Sequence, residues 1–111
     1  MTARIELWLY IAQRVSAMVL APLVLMHLAT ILYAIRGGLS AAEILGRTQG
    51  SLAWMLFYGL FVVAAAVHGS IGVRSIVREM TSWRGRSLNA AAVAFCVLIL
   101  ALGFRAVEAV T

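Results

Sequence analysis

Three long runs without a formal charge divide this sequence of 111 residues. They cover residues 15–35, 51–73 and 88–104. A helix needs roughly 20 residues, and usually 17–25, to cross the apolar core of a bilayer. A backbone inside lipid must satisfy its own hydrogen bonds, so helix is the expected state of each run. The sequence therefore predicts three transmembrane helices.

The overall composition agrees with a membrane protein. Hydrophobic residues make up 64% of the chain and the mean hydropathy is +1.01, whereas soluble domains contain roughly 45–50% apolar residues. The net charge of +5 comes from nine arginines and four glutamates. The arginines stand at the edges of the apolar runs rather than in a basic stripe, which argues against a nucleic-acid partner. The single cysteine, Cys96, cannot form an internal disulfide or a cysteine cluster for metal.

We therefore predict an all-α fold in a single membrane domain of residues 1–111. The predicted spans cover about residues 8–36, 51–78 and 88–106. The first run has no small-residue cleavage site after it, so we expect a retained helix rather than a signal peptide. Ser40 and Glu43 have capping-box spacing, which predicts a short surface helix over about residues 41–47.

The distribution of the arginines predicts the orientation. Six arginines lie before the first span or between the second and third spans, and three lie on the other side. Loops rich in arginine stay in the cytoplasm. We therefore expect a multi-pass protein of a bacterial-type inner (plasma) membrane, with a cytoplasmic N-terminus and the C-terminus outside.

Two histidines, His27 and His68, lie inside predicted spans. An ionisable residue in a span is costly and usually functional, although an imidazole can also simply bind a neighbouring helix. Ala64 and Ala65 precede His68 by one turn, and Gly72 follows it by one turn on the same helix face. A flat group such as a porphyrin fits against small residues, and histidine is a common axial ligand of haem iron.

The positions of the two histidines in antiparallel spans separate them by roughly 12 Å along the membrane normal, so they cannot bind one iron. Either His27 is a packing residue, or each histidine binds one of two stacked haems. In both cases the opposing ligand comes from another chain, and these three helices are half of a haem-binding bundle. Arg74 ends the second span, where it can pair with a haem propionate or reach lipid headgroups.

Two segments resemble a known family. Residues 13–17, Gln-Arg-Val-Ser-Ala, resemble the His-Arg-Val-Ser-Gly segment in the cytochrome b membrane anchor subunits of succinate dehydrogenase and fumarate reductase. Residues 68–74, His-Gly-Ser-Ile-Gly-Val-Arg, are similar to the His-x-x-x-Gly-x-Arg haem-ligand segment of their second helix. Glu79 stands where these anchors carry an acid. Gln13 replaces the histidine of the family and Ala17 its glycine.

The resemblance implies an anchor that binds the flavoprotein and iron–sulfur subunits, holds one or two haems b with a second anchor chain, and passes electrons between iron–sulfur clusters and quinone. It implies that His68 is an axial ligand, that Arg74 meets a propionate, and that Arg14 lines the quinone site or the propionates. His27 resembles the first-helix ligand of two-haem anchors. Met80 replaces a quinone-binding tyrosine that one of the two anchor chains carries.

Other functions stay open at this point. A cofactor-free transporter, channel or assembly subunit would use both histidines in packing or proton transfer. A haem b subunit of another quinone-linked dehydrogenase would share the ligands and differ in its soluble partners. The sequence contains no carboxylate pair, activated nucleophile or dinucleotide motif, so we predict no catalytic residue, and any dicarboxylate chemistry belongs to the assembly.

Overall fold

A computed structural model describes residues 3–111 and contains four α-helices in that range. They are α1 (Ala3–Arg36), α2 (Ala41–Thr48), α3 (Leu52–Met80) and α4 (Arg86–Val110). Three of them, α1, α3 and α4, are long and apolar enough to cross a membrane. The described residues contain no strand. The predicted all-α fold with three transmembrane helices is confirmed.

Local sequence explains where the helices end. α1 continues through Pro22 and stops before Gly38, whose φ of 64° is a left-handed conformation that favours glycine. Ser40 caps α2, because its Oγ accepts a hydrogen bond from the Glu43 N–H at 3.2 Å. The Glu43 carboxylate accepts from the Ser40 N–H at 3.4 Å, which completes the capping box. Gly85, with φ of 87°, precedes α4.

α3 is the central helix and packs against both α1 and α4. Small residues bring α4 close to it. A Cβ added to Gly103 of α4 would clash with the Val62 side chain of α3, and one added to Gly69 of α3 would lie 3.8 Å from Ile99. Such close approaches are typical of helix pairs in membranes, where small residues let backbones come near each other.

The bundle has two ends. The N-terminal end contains the start of α1, the end of α3 and the start of α4. The C-terminal end contains α2 and the remaining helix ends, where Thr48 Oγ1 donates to the Val110 carbonyl at 2.5 Å and the Gly50 N–H donates to the Thr111 carbonyl at 2.9 Å. The molecule measures 49 × 24 × 22 Å. Its long axis suits a bilayer of about 40–45 Å with headgroups.

Most apolar side chains of the three long helices lie on the outside. In the most apolar 18-residue windows of α1, α3 and α4, only 6%, 17% and 6% of the residues are buried. A water-soluble protein rarely exposes so continuous an apolar surface. The chain is therefore a multi-pass membrane protein whose exterior meets lipid or other transmembrane helices.

Candidate functional site

His68 lies on α3 with a half-buried ring. Its Nδ1 atom is buried and has no hydrogen-bond partner. Ala64, one turn before it, is 5% exposed, and Gly72 follows one turn after it. A buried polar atom without a partner is costly, which makes His68 Nδ1 a candidate for a further hydrogen bond.

α1 passes over the same stretch of α3. A Cβ added to Gly72 would lie 3.4 Å from Gln13 Nε2, so the Gln13 amide rests against this glycine. Gln13 Oε1 is also buried without a partner. Among residues 3–111, Gln13 Oε1 and His68 Nδ1 are the only two buried side-chain atoms in that condition. Gln13 lies in the contact between α1 and α3, and His68 lies one turn before Gly72 on the face of α3 that Gln13 touches.

His27 is half-buried on α1 and faces aromatic residues of α3. Its ring centroid lies 5.1 Å from that of Phe61 and 5.9 Å from that of Tyr58. Trp54 stacks on Tyr58 with centroids 5.6 Å apart, which extends the cluster toward the C-terminal end. A cavity of about 290 Å³ adjoins His27, Phe61 and Tyr58. His27 is therefore reachable from a cavity as well as packed against rings.

The contacts of His27 fix its depth relative to His68. Phe61 and Tyr58 precede His68 by seven and ten residues. At 1.5 Å per residue, His27 and His68 are roughly 10–15 Å apart along the bundle. This spacing agrees with the separation predicted from the spans. One iron cannot take both imidazoles as ligands, since axial ligand bonds are roughly 2 Å long.

Arg74 is 7% exposed and connects three helices at the N-terminal end. Its Nη2 donates to Glu6 Oε1 of α1 at 2.8 Å, and its Nε donates to Asn89 Oδ1 of α4 at 2.9 Å. Arg78 Nη1 lies 2.9 Å from the other carboxylate oxygen of Glu6. Six residues turn a helix by about 240°, so Arg74 and His68 leave α3 on different faces. Any propionate at Arg74 has to share the guanidinium with Glu6.

Arg14 is exposed on α1, and its guanidinium carbon lies 6.0 Å from the centroid of the Tyr10 ring. The neighbouring Gln13, rather than Arg14, faces α3. The structure therefore brings Gln13 to the face of α3 that carries His68 and leaves Arg14 on the outside, open to lipid, a second chain or a ligand. In residues 3–111, no hydrogen bond, ion pair or ring contact joins any two of the four predicted site residues.

Two further cavities lie at the N-terminal end. An apolar one of about 380 Å³ is bounded by α1, α3 and α4, with Arg74 and Asn89 on its wall and Cys96 deeper in the bundle. A polar one of about 290 Å³ includes Glu6, Arg74 and Glu79. At this end of the bundle, an apolar cavity therefore lies next to the ion pair of Arg74 and Glu6.

Sequence reasoning missed three residues that shape this region: Glu6, Gln13 as a contact of α3, and Asn89. Glu6 carried a usable signal, because an arginine next to a span requires a counter-charge and Glu6 is the only acid in the first 42 residues. Gln13 stood out only as a departure from a family pattern. Asn89 had no signal, since an asparagine in a first helical turn is commonplace.

A comparison with protein families decides what class of protein carries this arrangement. A family model described as succinate dehydrogenase/fumarate reductase transmembrane subunit matches residues 1–104. The chain belongs to this family. The resemblance seen in residues 13–17 and 68–74 is thereby confirmed at the level of the family. No curated protein and no solved structure is similar enough to count as a match. This transmembrane subunit is a membrane component of an oxidoreductase complex.

Proposed function

We propose that this transmembrane subunit is a haem b anchor of a succinate:quinone or fumarate:quinone oxidoreductase, in which His68 is an axial ligand of the haem iron. The observation that carries the proposal is the state of His68 in the bundle. Its ring is half-buried among small residues, and its Nδ1 is buried without a partner. A histidine that binds a metal through one nitrogen almost always donates a hydrogen bond through the other nitrogen. In this proposal, Nδ1 of His68 is the nitrogen that would make that hydrogen bond.

The small residues around His68 support a haem ligand at this position. Ala64, Ala65 and Gly72 carry little side-chain bulk, and because Gln13 lies against Gly72, a haem would have to reach the imidazole beside the Gln13 amide. The bound haem would supply one-electron transfer between the iron–sulfur clusters and quinone. The chain itself would provide the imidazole nitrogen, a dry surrounding and a fixed ring orientation.

We propose His27 as the ligand of a second haem, stacked over the first toward the C-terminal end. The 10–15 Å offset, estimated from the helix rise, supports two haems rather than one. The contacts with Phe61 and Tyr58 also favour the alternative for His27, a packing residue in a cofactor-free role. Arg14 and Arg74 are the two arginines proposed to bind a haem propionate, and Arg14 is also a candidate for the quinone. Arg14 is exposed and open to such a ligand, whereas Arg74 already binds Glu6.

A second anchor chain would supply the opposing haem ligands and cover part of the apolar exterior. The flavoprotein and iron–sulfur subunits would dock at the N-terminal end, where the arginine-rich connection lies. By the arginine distribution that end faces the cytoplasm of a bacterial-type inner membrane.

The direct test is to express the chain with the proteins encoded beside it and to purify the complex through a tag on this subunit. We expect flavin, iron–sulfur clusters and a dithionite-reduced b-type absorbance in one complex, and partial reduction of that haem by succinate. A complex with flavin and clusters but no haem would contradict the haem proposal. Purification without flavin and clusters would favour the cofactor-free alternative.

A further inference from the structure

Two buried side-chain atoms lack a hydrogen-bond partner near the point where α1 crosses α3, one on Gln13 of α1 and one on His68 of α3. His68 Nδ1 can carry a proton and donate, and Gln13 Oε1 can only accept. Both are buried, and neither has a hydrogen-bond partner. A buried polar atom that stays unpaired lowers the stability of the protein. The donor and the acceptor lie on neighbouring turns of the same crossing, so they are candidates to pair with each other.

The position of Gln13 makes this pairing possible. Its amide rests on Gly72, one turn after His68 on the same face of α3. A Cβ at position 72 would lie 3.4 Å from Gln13 Nε2, so the amide packs directly against this part of α3. The nearby hydroxyl groups are engaged elsewhere: Ser16 donates to the Gln13 carbonyl at 3.0 Å and Ser70 to the Ala66 carbonyl at 2.5 Å.

We propose that Gln13 is the positioning residue of His68. Its Oε1 accepts the hydrogen bond from His68 Nδ1–H, either after a rotation of the amide or through one buried water. The proton is then held on Nδ1, and Nε2 keeps its lone pair for the iron. This inference rests on the proposed function of His68 as a haem ligand, and it assigns a role to a residue at which the chain departs from the family pattern.

The chemical consequence is a change in the electron donation of the imidazole. An acceptor on Nδ1–H makes the ligand more basic. A more basic ligand stabilises ferric over ferrous iron, so the bond lowers the haem midpoint potential. Loss of the acceptor shifts the potential upward and weakens the retention of haem, whereas a role confined to helix packing would leave the potential unchanged.

The test is a redox titration of the purified complex with Gln13→Met, which keeps the length of the side chain and removes the acceptor. We expect an upward shift of the haem component bound to His68. Gln13→Glu retains an acceptor oxygen and is expected to titrate at or below the wild-type potential. Gln49→Met changes the only other glutamine, which is exposed at the C-terminal end, and is expected to leave the titration unchanged.

The outcomes separate this inference from the proposed function. If the wild-type complex contains no haem, the proposed function fails before Gln13 is tested. If the wild type contains haem and Gln13→Met titrates like it, the positioning role is overturned and the ligand role of His68 stands. If Gln13→Met does not assemble, Gln13→Glu decides, because an upward shift in that variant overturns the role of the acceptor.

Discussion

At the scale of single residues, Arg74 is a buried charge whose contribution to stability depends on its ion-pair and hydrogen-bond partners. It is 7% exposed, and its principal partner, Glu6, is 32% exposed. Removing one partner of a buried ion pair typically costs about 3–5 kcal/mol, because the other charge stays buried. Glu6 is partly hydrated, so we expect Glu6→Ala to lower the free energy of unfolding by about 2 kcal/mol. Thermal or denaturant unfolding of the detergent-solubilised complex measures this loss.

The matched control for Glu6→Ala is Arg78→Ala. Arg78 binds the same carboxylate, but its side chain is 40% exposed, and exposed pairs contribute about 0–1 kcal/mol. We therefore expect Arg78→Ala to be much milder than Glu6→Ala. Equal losses in the two variants would mean that the burial of Arg74 does not determine the stability of this end.

The candidate histidines were predictable residue by residue, and their partners were not. An ionisable residue inside an apolar run is visible in the sequence, which singles out His27 and His68. The partner of Arg74 is 68 positions away, in a segment that the hydropathy pattern leaves outside the first span. The contact of Gln13 with Gly72 depends on how α1 crosses α3, and no local pattern encodes that crossing.

At the scale of helices, Gly103 of α4 lies directly against the Val62 side chain of α3. Val62 is β-branched and stiff, so it cannot move aside cheaply when a Cβ is added opposite it. We expect Gly103→Ala to push α4 away from α3 and to cost about 1–3 kcal/mol of stability, as overpacking does. The thermal stability of the solubilised complex checks this expectation.

Gly46→Ala is the control for that substitution. Gly46 lies inside α2, and a Cβ added there meets no atom within 4 Å. Alanine in an open helical position stabilises by about 0.4–1 kcal/mol. A loss of stability in Gly46→Ala, or none in Gly103→Ala, would contradict the packing of α4 on α3 described here.

Helix bounds show which part of the fold the sequence encodes locally. The capping box at Ser40 has the expected geometry, and Gly38, with its left-handed conformation, lies in the short connection between α1 and α2. α1, however, begins at Ala3 rather than near residue 8, and α4 continues to Val110 rather than 106. Hydropathy locates the part of a helix that lies in lipid, whereas these extensions lie at the two ends of the bundle.

At the scale of the whole molecule, the three long helices form an incomplete unit. α3 is covered by α1 and α4, but the apolar windows of α1 and α4 are each only 6% buried. The all-α fold class and the number of transmembrane spans follow from composition and charge, because a chain inside lipid has few alternatives to helices. What covers the exterior is not encoded in any local pattern, since lipid and a second anchor chain favour the same apolar residues.

The measurement that tests the central claim most directly is a redox titration of the assembled complex, comparing His68→Ala and His27→Ala with the wild type. We expect His68→Ala to remove one b-type component while the flavin and iron–sulfur content stays unchanged. His27→Ala is expected to leave that component in place and to remove only a second one. Phe95→Ala deletes a ring from the exposed surface of α4 and serves as the control for assembly. An unchanged b-type spectrum in His68→Ala would contradict the assignment of His68 as a haem ligand.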